Sequence, residues 1–520
     1  MRRIVPCLYE ESGRDAAPSA YRPLVVVRCC ATTRASRPPG PPRAHSGIFI
    51  ATHLGRVRTS MKHVWLRMSR VAVQSELEQC SAEGREMHTV EQWFDQVLST
   101  DLENRRNWPA AQNLLDQTIQ LPLAADLKYH EPSSDLKQIK EARPWDEPPT
   151  LAPLNKADIA RLNDQVYGAW VGRCAGCLLG LPFEGWTRNR LWGLLRDTEQ
   201  FPLTKYVRFT PLKNQADLRV KYELDDQDPD HPFVDLIPPT GMPEDDELNY
   251  TVMNLAILRR YGPNFTPLDV AEFWLENLPV MHTQGGECLA YRNFCLQIPP
   301  PESATYRNPY REWNGAQIRG DYWGYVAAGN PELAADLAWR DACVSHVRNG
   351  LYGAMWVAAM TAAAFVAEDI PTIVRSGLAQ IPDDCRLSEG VKHVLSWKDA
   401  GADYDTVIQR VHERWDERMP WMSRHAVANA QVITAALLYG NGDFASSVCK
   451  AVQACYQTDS NGATVGSILG IVNGRQKLPK EWADPVHDCL HTGIENLHSV
   501  AMPQLVQATI QGMVAVLGRS

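Results

Sequence analysis

The sequence predicts an all-α protein: one large multi-helix body preceded by an N-terminal helical extension. Three observations favour this class. Apolar residues recur at helical spacing along most of the chain, and residues 332–367 are rich in alanine, which suits tightly packed helices. Only two short stretches, 203–210 and 218–224, have strand character. With 520 residues, 44% of them hydrophobic, the chain is long enough to bury a large core.

Composition argues against several classes of protein. The net charge of −9 is unlike that of nucleic-acid-binding proteins, which normally carry a basic face, so we expect no specific nucleic-acid binding. No run of about 18 apolar residues is present, which predicts no membrane span. The 13 cysteines have no regular spacing, which favours a reducing, cytoplasmic compartment. The pair Cys174-Ala-Gly-Cys177 has no second pair nearby that would complete a zinc site.

The sequence divides into four segments. Residues 1–60 contain ten arginines, no lysine and three acids, and we expect a disordered leader or a mis-called start, with translation beginning at Met61. Residues 61–129 predict a helical extension, and the proline-rich residues 130–155 predict an extended linker. Residues 156–520 form the main body. The oligomeric state stays open.

Within the extension, helical periodicity covers residues 61–83 and 89–105. In the body, Thr266-Pro267 followed by Asp269 is typical of a helix N-terminus. Helical spacing also predicts helices over 371–380, 388–398, 404–417, 424–439, 444–455 and 485–517.

Two further stretches carry a glycine at every fourth position, on one helix face. They are Gly168, Gly172, Gly176 and Gly180 in the first, and Gly462, Gly466, Gly470 and Gly474 in the second. A glycine in a helix costs about 1 kcal/mol relative to alanine, so four on one face need a compensating interaction. Close packing of two backbones supplies it. We therefore predict that these helices pack at the centre of the body, against each other.

An acidic turn, Glu244-Asp245-Asp246-Glu247, precedes an apolar-periodic run and so falls in the first turn of a helix. Four adjacent carboxylates repel one another. A hard divalent cation would turn that repulsion into attraction, because Mg2+ and Mn2+ prefer carboxylate oxygens. Acidic residues also occur at helix N-termini for dipole and capping reasons alone, and charge runs are usually solvated.

Three other stretches have related chemistry. Glu184 follows the first glycine-faced helix, Thr458-Asp459-Ser460-Asn461 begins the second, and a polar loop contains Asn314 and Gly315. Each by itself fits a helix cap or a turn. Together with the acidic turn they would supply oxygen ligands and a free carboxylate from separate helix ends, which is what a metal-assisted hydrolase needs.

The order of these motifs over residues 157–495 resembles the ADP-ribosylglycohydrolase family. The motifs are the glycine-spaced helix ending in G-x-P-x-E, the acidic pair, N-G-A-x-I-R, and T-D-S-N-G-A-T-x-G. The resemblance implies an orthogonal multi-helix bundle with a centre of two Mg2+ or Mn2+ ions. It also implies release of ADP-ribose from a modified acceptor, so that the partner would be an ADP-ribosylated protein or small molecule.

The resemblance also assigns roles to individual residues. The implied metal ligands are Glu244, Asp245, Asp246, Gln457, Asp459 and Ser460. Glu244 stands where the family has a hydroxyl ligand, and Gln457 stands where it has an aspartate. We hypothesise that the extra carboxylate of Glu244 offsets the charge lost at Gln457.

The remaining implied residues lie around the substrate. Glu184 resembles the family's general acid/base, and Asn314, Gly315 and Arg319 fall in a loop that borders the substrate cleft. His346 matches a substrate-binding position, although a hydrogen-bonded core histidine is an equal alternative. Cleavage at ribose C1 passes through an oxocarbenium-like transition state, in which Glu184 would exchange protons with water or the leaving group.

Other functions stay open. A non-catalytic member of the same fold that binds ADP-ribose or another nucleotide is favoured by Gln457. A metal phosphohydrolase would use His487-Asp488, but no later aspartate completes its motif. A purely structural helical protein would leave the acidic turn unexplained. The acceptor could be arginine, serine, a nucleic-acid base or a small molecule.

Overall fold

The computed structural model describes residues 64–144, 148–224 and 231–518. Within these ranges the chain forms 22 α-helices and one two-stranded sheet, which confirms the all-α class. No helix among the described residues is long and apolar enough to span a membrane. The predictions for residues 1–60 and for a start at Met61 concern residues outside the described ranges.

The extension begins with a 3-10 turn, Val64–Leu66, followed by four helices. These are α1 (Arg70–Ala82), α2 (Glu91–Leu98), α3 (Trp108–Thr118) and α4 (Leu136–Glu141). The last of them is a correction, because it lies inside the segment predicted to be extended. The Asp135 side chain accepts the N–H of Gln138 at the start of α4, and Ile139 is buried, so a cap and an apolar contact stabilise this short helix.

The body contains the remaining helices. The first nine are α5 (Ile159–Gly180), α6 (Arg188–Asp197), α7 (Ala216–Lys221), α8 (Asp246–Tyr261), α9 (Pro267–Asn277), α10 (Gly285–Cys295), α11 (Asp321–Val326), α12 (Pro331–Ala342) and α13 (Arg348–Ala363). The last nine are α14 (Ile370–Leu378), α15 (Arg386–Asp399), α16 (Tyr404–Arg414), α17 (Pro420–Ser423), α18 (Ala426–Gly440), α19 (Phe444–Gln453), α20 (Thr458–Asn473), α21 (Lys480–Ala483) and α22 (Met502–Leu517). Every residue of the alanine-rich α13 is buried, as its composition predicts.

Both predicted strands are wrong. Residues 203–210 form no strand, and residues 218–224 overlap α7. The Asp235 carboxylate accepts the backbone N–H groups of Phe209 and Thr210, so these groups are satisfied without a partner strand.

The strands that the structure does describe lie elsewhere. They are β1 (Cys489–His491) and β2 (Ser499–Ala501), which pair antiparallel where the sequence predicts helix over 485–517. Asp488 and Asn496 have φ values of 49° and 63°. Because left-handed residues interrupt a helix, helical structure resumes only at α22.

The two glycine-faced helices pack against each other, as predicted. A Cβ atom placed on Gly172 would overlap the carbonyl oxygen of Gly466, and a Cβ on Gly466 would overlap that of Gly172. The pair Gly176 and Gly462 shows the same mutual exclusion. Only glycine permits this approach of α5 to α20.

The direction of this packing positions the candidate site. Because the helices run antiparallel, the end of α5 lies beside the beginning of α20. The Thr458 hydroxyl donates to the Gly180 carbonyl at 2.9 Å across this junction. The beginning of α8 is fixed to the same helix, since Arg173 of α5 donates to Thr251 at 2.8 Å and to the backbone carbonyl of Glu247 at 3.2 Å.

Candidate active site

One cleft opens where the ends of α5, α8 and α20 meet. Seven residues proposed from the sequence line it, namely Glu184, Asp246, Asn314, Gly315, Gln457, Asp459 and Ser460. They come from four separate parts of the chain, and the fold brings them together as the resemblance implies. The remaining wall includes residues for which the sequence suggested no role.

Residues Asp245, Asp246 and Glu247 of the acidic turn lie together next to this cleft, and we call them its acidic floor. Asp245 is the N-cap of α8: one carboxylate oxygen accepts the Asp246 N–H at 2.9 Å, and the other accepts the Cys177 thiol at 2.8 Å. Ligand atoms of Cys177, Asp245 and Glu247 all lie within 4.8 Å of one another. Glu247 is completely buried, and among the described residues its oxygens have no hydrogen-bond donor other than the neighbouring carboxyl groups.

Charge is concentrated at this floor, and the buried Arg173 offsets only part of it through its interaction with Glu247. Burial raises the pKa of the Asp245, Asp246 and Asp459 carboxyls well above the usual range, and the negative charge of Glu247 raises each of these pKa values further. One oxygen of Asp459 is also buried and has no hydrogen-bond partner within the described ranges. Buried, mutually repelling carboxyl oxygens without donors are the surroundings that a divalent cation fits.

Glu184 stands at the edge of the same cluster. The 3-10 turn Leu181–Phe183 carries it out of α5, and its half-buried carboxylate lies 3.1 Å from Nε2 of His231. Its negative charge raises the pKa of both Asp246 and Asp459. Glu184 is therefore close to the acidic floor and partly accessible from the cleft, as a group that exchanges protons with a ligand must be.

Glu244 does not line the cleft, in contrast to four of the five other proposed metal ligands. Its partly exposed carboxylate accepts from Asn249 at 2.9 Å and pairs with His282. Gln457 lines the cleft and donates its backbone N–H to the Asn429 side chain at 3.3 Å. This placement gives no support to the hypothesis that Glu244 offsets the charge missing at Gln457.

The side chains of Arg319 and His346 are not positioned to contact a substrate in the cleft. Both side chains are completely buried. Arg319 donates to Asp341 at 3.0 Å and to Glu287 at 2.9 Å, so its guanidinium is used inside the core. His346 contacts the Ser345 hydroxyl at 2.8 Å, and burial lowers its pKa well below the usual range, which agrees with the core-histidine alternative.

Glu287 is a cleft residue that the sequence reasoning missed. It belongs to the first turn of α10, and its carboxylate lines the cleft while Arg319 holds it from behind. Burial raises its pKa to about 7, against the attraction of Arg319. A Cβ atom on Gly315 would overlap this carboxylate, so glycine there lets the two chain segments meet. The run Gly285-Gly286-Glu287 at a helix start was the available signal.

The fold and the cleft define an all-α protein with an acidic, hydrolase-like site. The family model described as ADP-ribosylglycohydrolase matches residues 158–511. The chain belongs to the ADP-ribosylglycohydrolase family. One similar solved structure is described as an ADP-ribosylglycohydrolase-related protein complex: it is 16% identical, the match covers 69% of this chain and 100% of that chain, and the TM-score is 0.39. No curated protein matches the chain.

Proposed function

We propose that the protein is a metal-dependent hydrolase that cleaves the glycosidic bond between ADP-ribose and an acceptor, either a protein side chain or a small molecule. The observation that carries this proposal is the convergence of Glu184, Asp246 and Asp459 in one cleft, beside buried carboxyl oxygens that lack donors. Family membership supports hydrolysis as the reaction class. The choice of ADP-ribose rests on the resemblance of the motifs.

The residues that would hold two Mg2+ or Mn2+ ions are Asp245, Asp246, Asp459, Ser460 and Gln457. When bound, such ions supply positive charge that neutralises the carboxylates and orients the ribose hydroxyls. Glu247 lies directly behind Asp245 and Asp246 and adds a further carboxylate. We include it among the candidate ligands.

The chain's own groups account for the chemistry around the bond. Glu184 is placed to exchange a proton with water or with the leaving group. The surrounding carboxylates favour the positive charge that develops at ribose C1 in an oxocarbenium-like transition state. Asn314 offers its side-chain amide to the cleft, and Glu287, with a pKa of about 7, can accept or donate a hydrogen bond there.

The test measures ADP-ribose release from arginine- and serine-linked ADP-ribosyl peptides, in Mg2+, in Mn2+ and in EDTA. We expect metal-dependent release that Glu184→Gln lowers by about 100-fold or more, since general acid–base catalysis contributes about 10²–10⁴-fold. The exposed Glu302→Gln is the matched control and should leave the rate unchanged. Equal rates for wild type and Glu184→Gln would refute the assigned role.

A second candidate is a non-catalytic protein that binds ADP-ribose or a related nucleotide. It is favoured by Gln457, which brings an uncharged amide to a cleft wall where the resemblance implies a carboxylate. Calorimetric titration with ADP-ribose separates the two candidates. Binding in Mg2+ with no release from either peptide supports the second candidate, whereas turnover supports the first.

We further propose the division into a helical extension and a main body over residues 156–520, together with the cytoplasmic location predicted from the sequence. No disulfide joins the cysteines within the part of the chain that the structure describes, which supports a reducing compartment. Fractionation of cells that express the tagged chain tests the location.

A further inference from the structure

The N-terminal extension reaches the candidate active site. Trp65 lies in the 3-10 turn that precedes α1, far from the family-matched residues 158–511, yet its side chain lines the same cleft as Asp246 and Asp459. A segment outside the family match therefore supplies part of the cleft wall.

Trp65 is held in this position by aromatic and cationic neighbours. Its ring meets Tyr310 and Trp313 edge to face, with centroid separations of 5.5 and 5.7 Å. The Arg424 guanidinium lies 5.7 Å from the Trp65 ring and 5.6 Å from the Trp313 ring. Edge-to-face pairs and cation–π contacts both favour a fixed ring orientation.

Buried ion pairs attach the extension to the loop that contains this aromatic cluster. Arg311 pairs with Glu76 at 2.6 Å and with Glu83 at 2.7 Å, and all three side chains are almost completely buried. Gln79 donates to Glu312 at 2.6 Å. Three consecutive residues, from Arg311 to Trp313, are thus held by the extension immediately before Asn314.

These contacts describe a fixed wall rather than a loosely tethered segment. Separating a buried ion pair leaves an uncompensated charge in the core, so α1 cannot leave Arg311 without a large penalty. Trp65 is restrained together with α1, because only three residues separate it from Ser69, the N-cap of that helix.

We propose that Trp65 is a specificity-determining residue. It narrows the mouth of the cleft, so that ADP-ribose joined to a slender acceptor reaches Glu184, whereas ADP-ribose on the surface of a folded protein is excluded. The position of Trp65 in the cleft wall is inferred from the observed contacts alone, whereas its effect on the choice of substrate rests on the proposed function.

The experiment compares Trp65→Ala and Trp65→Phe with wild type. Trp93→Ala is the matched control, because Trp93 belongs to the same extension but is exposed. Amide hydrogen exchange of the full chain, measured without substrate, reports whether Trp65 stabilises the neighbouring segments of the cleft wall. Trp65→Ala should speed exchange in residues 283–290, because the Val64–Leu66 turn packs on α10, and in residues 313–319, because Trp65 packs on Trp313. Residues 70–82 should stay protected by the Arg311 ion pairs. Trp65→Phe should exchange nearly as wild type does.

Selectivity is then measured with one ADP-ribosylated side chain presented in a short peptide and in a folded protein. Trp65→Ala should raise kcat/KM for the folded protein by about tenfold relative to the peptide, within the range of shape discrimination by a pocket. Trp93→Ala should leave this ratio unchanged.

Three outcomes contradict parts of this inference and can be told apart. Unchanged exchange at residues 283–290 and 313–319 in Trp65→Ala overturns the wall. Faster exchange with equal changes in kcat/KM for both substrates overturns the selectivity. Faster exchange in a protein that releases ADP-ribose from neither substrate overturns the proposed function and the selectivity with it, while the wall stands.

Discussion

Replacing Gly466 by alanine tests the packing that positions the candidate active site. The new Cβ atom would overlap the Gly172 carbonyl oxygen, lie 2.8 Å from the carbonyl carbon of Gly172 and lie 3.4 Å from the Cα of Gly176. Non-bonded carbon atoms prefer separations of about 3.5–4.0 Å. The obstacle is backbone rather than a flexible side chain, so α5 and α20 must move apart by roughly 1 Å at this point.

This displacement has two expected consequences. Overpacking costs about 1–3 kcal/mol, and alanine returns about 1 kcal/mol through its higher helix propensity, so the free energy of unfolding should fall by up to about 2 kcal/mol. The effect on catalysis should be larger. Glu184 follows α5 and Asp459 begins α20, and a displacement of about 1 Å between catalytic groups can lower the rate by about 100-fold.

The assay combines thermal denaturation, followed by circular dichroism, with ADP-ribose release at saturating Mg2+. Gly193→Ala in α6 is the control, because the nearest atom to its added Cβ is the Tyr222 hydroxyl at 2.8 Å, the end of a side chain. We expect a modest loss of thermal stability and a large loss of turnover for Gly466→Ala only. A variant with wild-type turnover and midpoint would refute the argument that glycine is needed for this contact.

Three further predictions concern the cleft. Asp246→Asn should raise the thermal midpoint in EDTA by about 2 °C, because it relieves repulsion between carboxylates. It should also abolish the increase in the midpoint that Mg2+ produces in wild type, measured by scanning calorimetry. A variant that keeps this response to Mg2+ would contradict the role of Asp246 as a ligand. Gln457→Asp should tighten Mn2+ binding by about tenfold, or about 1.4 kcal/mol, in calorimetric titration, and unchanged affinity would make the departure at this position immaterial. Glu287 has a pKa of about 7 in the folded protein, above its ordinary value of about 4.5. The protonated carboxyl therefore contributes about 3 kcal/mol to the stability below pH of about 4.5, and this contribution is lost as the pH rises through about 7. Glu287→Gln should therefore lose less stability than wild type between pH 5 and pH 8 in chemical denaturation, and equal losses would contradict the assigned burial penalty.

The sequence predicts the centre of this fold well because glycine spacing has a direct physical meaning. Residues without side chains at every fourth position make sense only if another backbone comes close, and α5 and α20 each provide such a face. The positions of Glu184, Asp246 and Asp459 follow from that contact, since each stands at or near the end of a helix that takes part in it or is attached to it.

The sequence does not show how deeply a side chain is buried or which distant segments of the chain contact each other. Arg319 directly follows a cleft residue in the chain, but its side chain and that of His346 point into the core, where they contact Asp341 and Ser345. Glu287 looks like an ordinary acid at a helix start until Arg319 is seen behind it. Trp65 is held at the cleft by its own aromatic contacts and by ion pairs between α1 and Arg311, and no periodicity in either segment indicates these contacts.

The proposed reaction requires above all that Asp246 and Asp459 bind a divalent cation beside Glu184. Crystals grown with Mn2+ and measured near the manganese absorption edge test it directly, because anomalous scattering locates the metal without reference to activity. We expect anomalous density within about 2.0–2.6 Å of carboxylate oxygens of both residues. Manganese bound only elsewhere, or none at millimolar concentration, would contradict the claim.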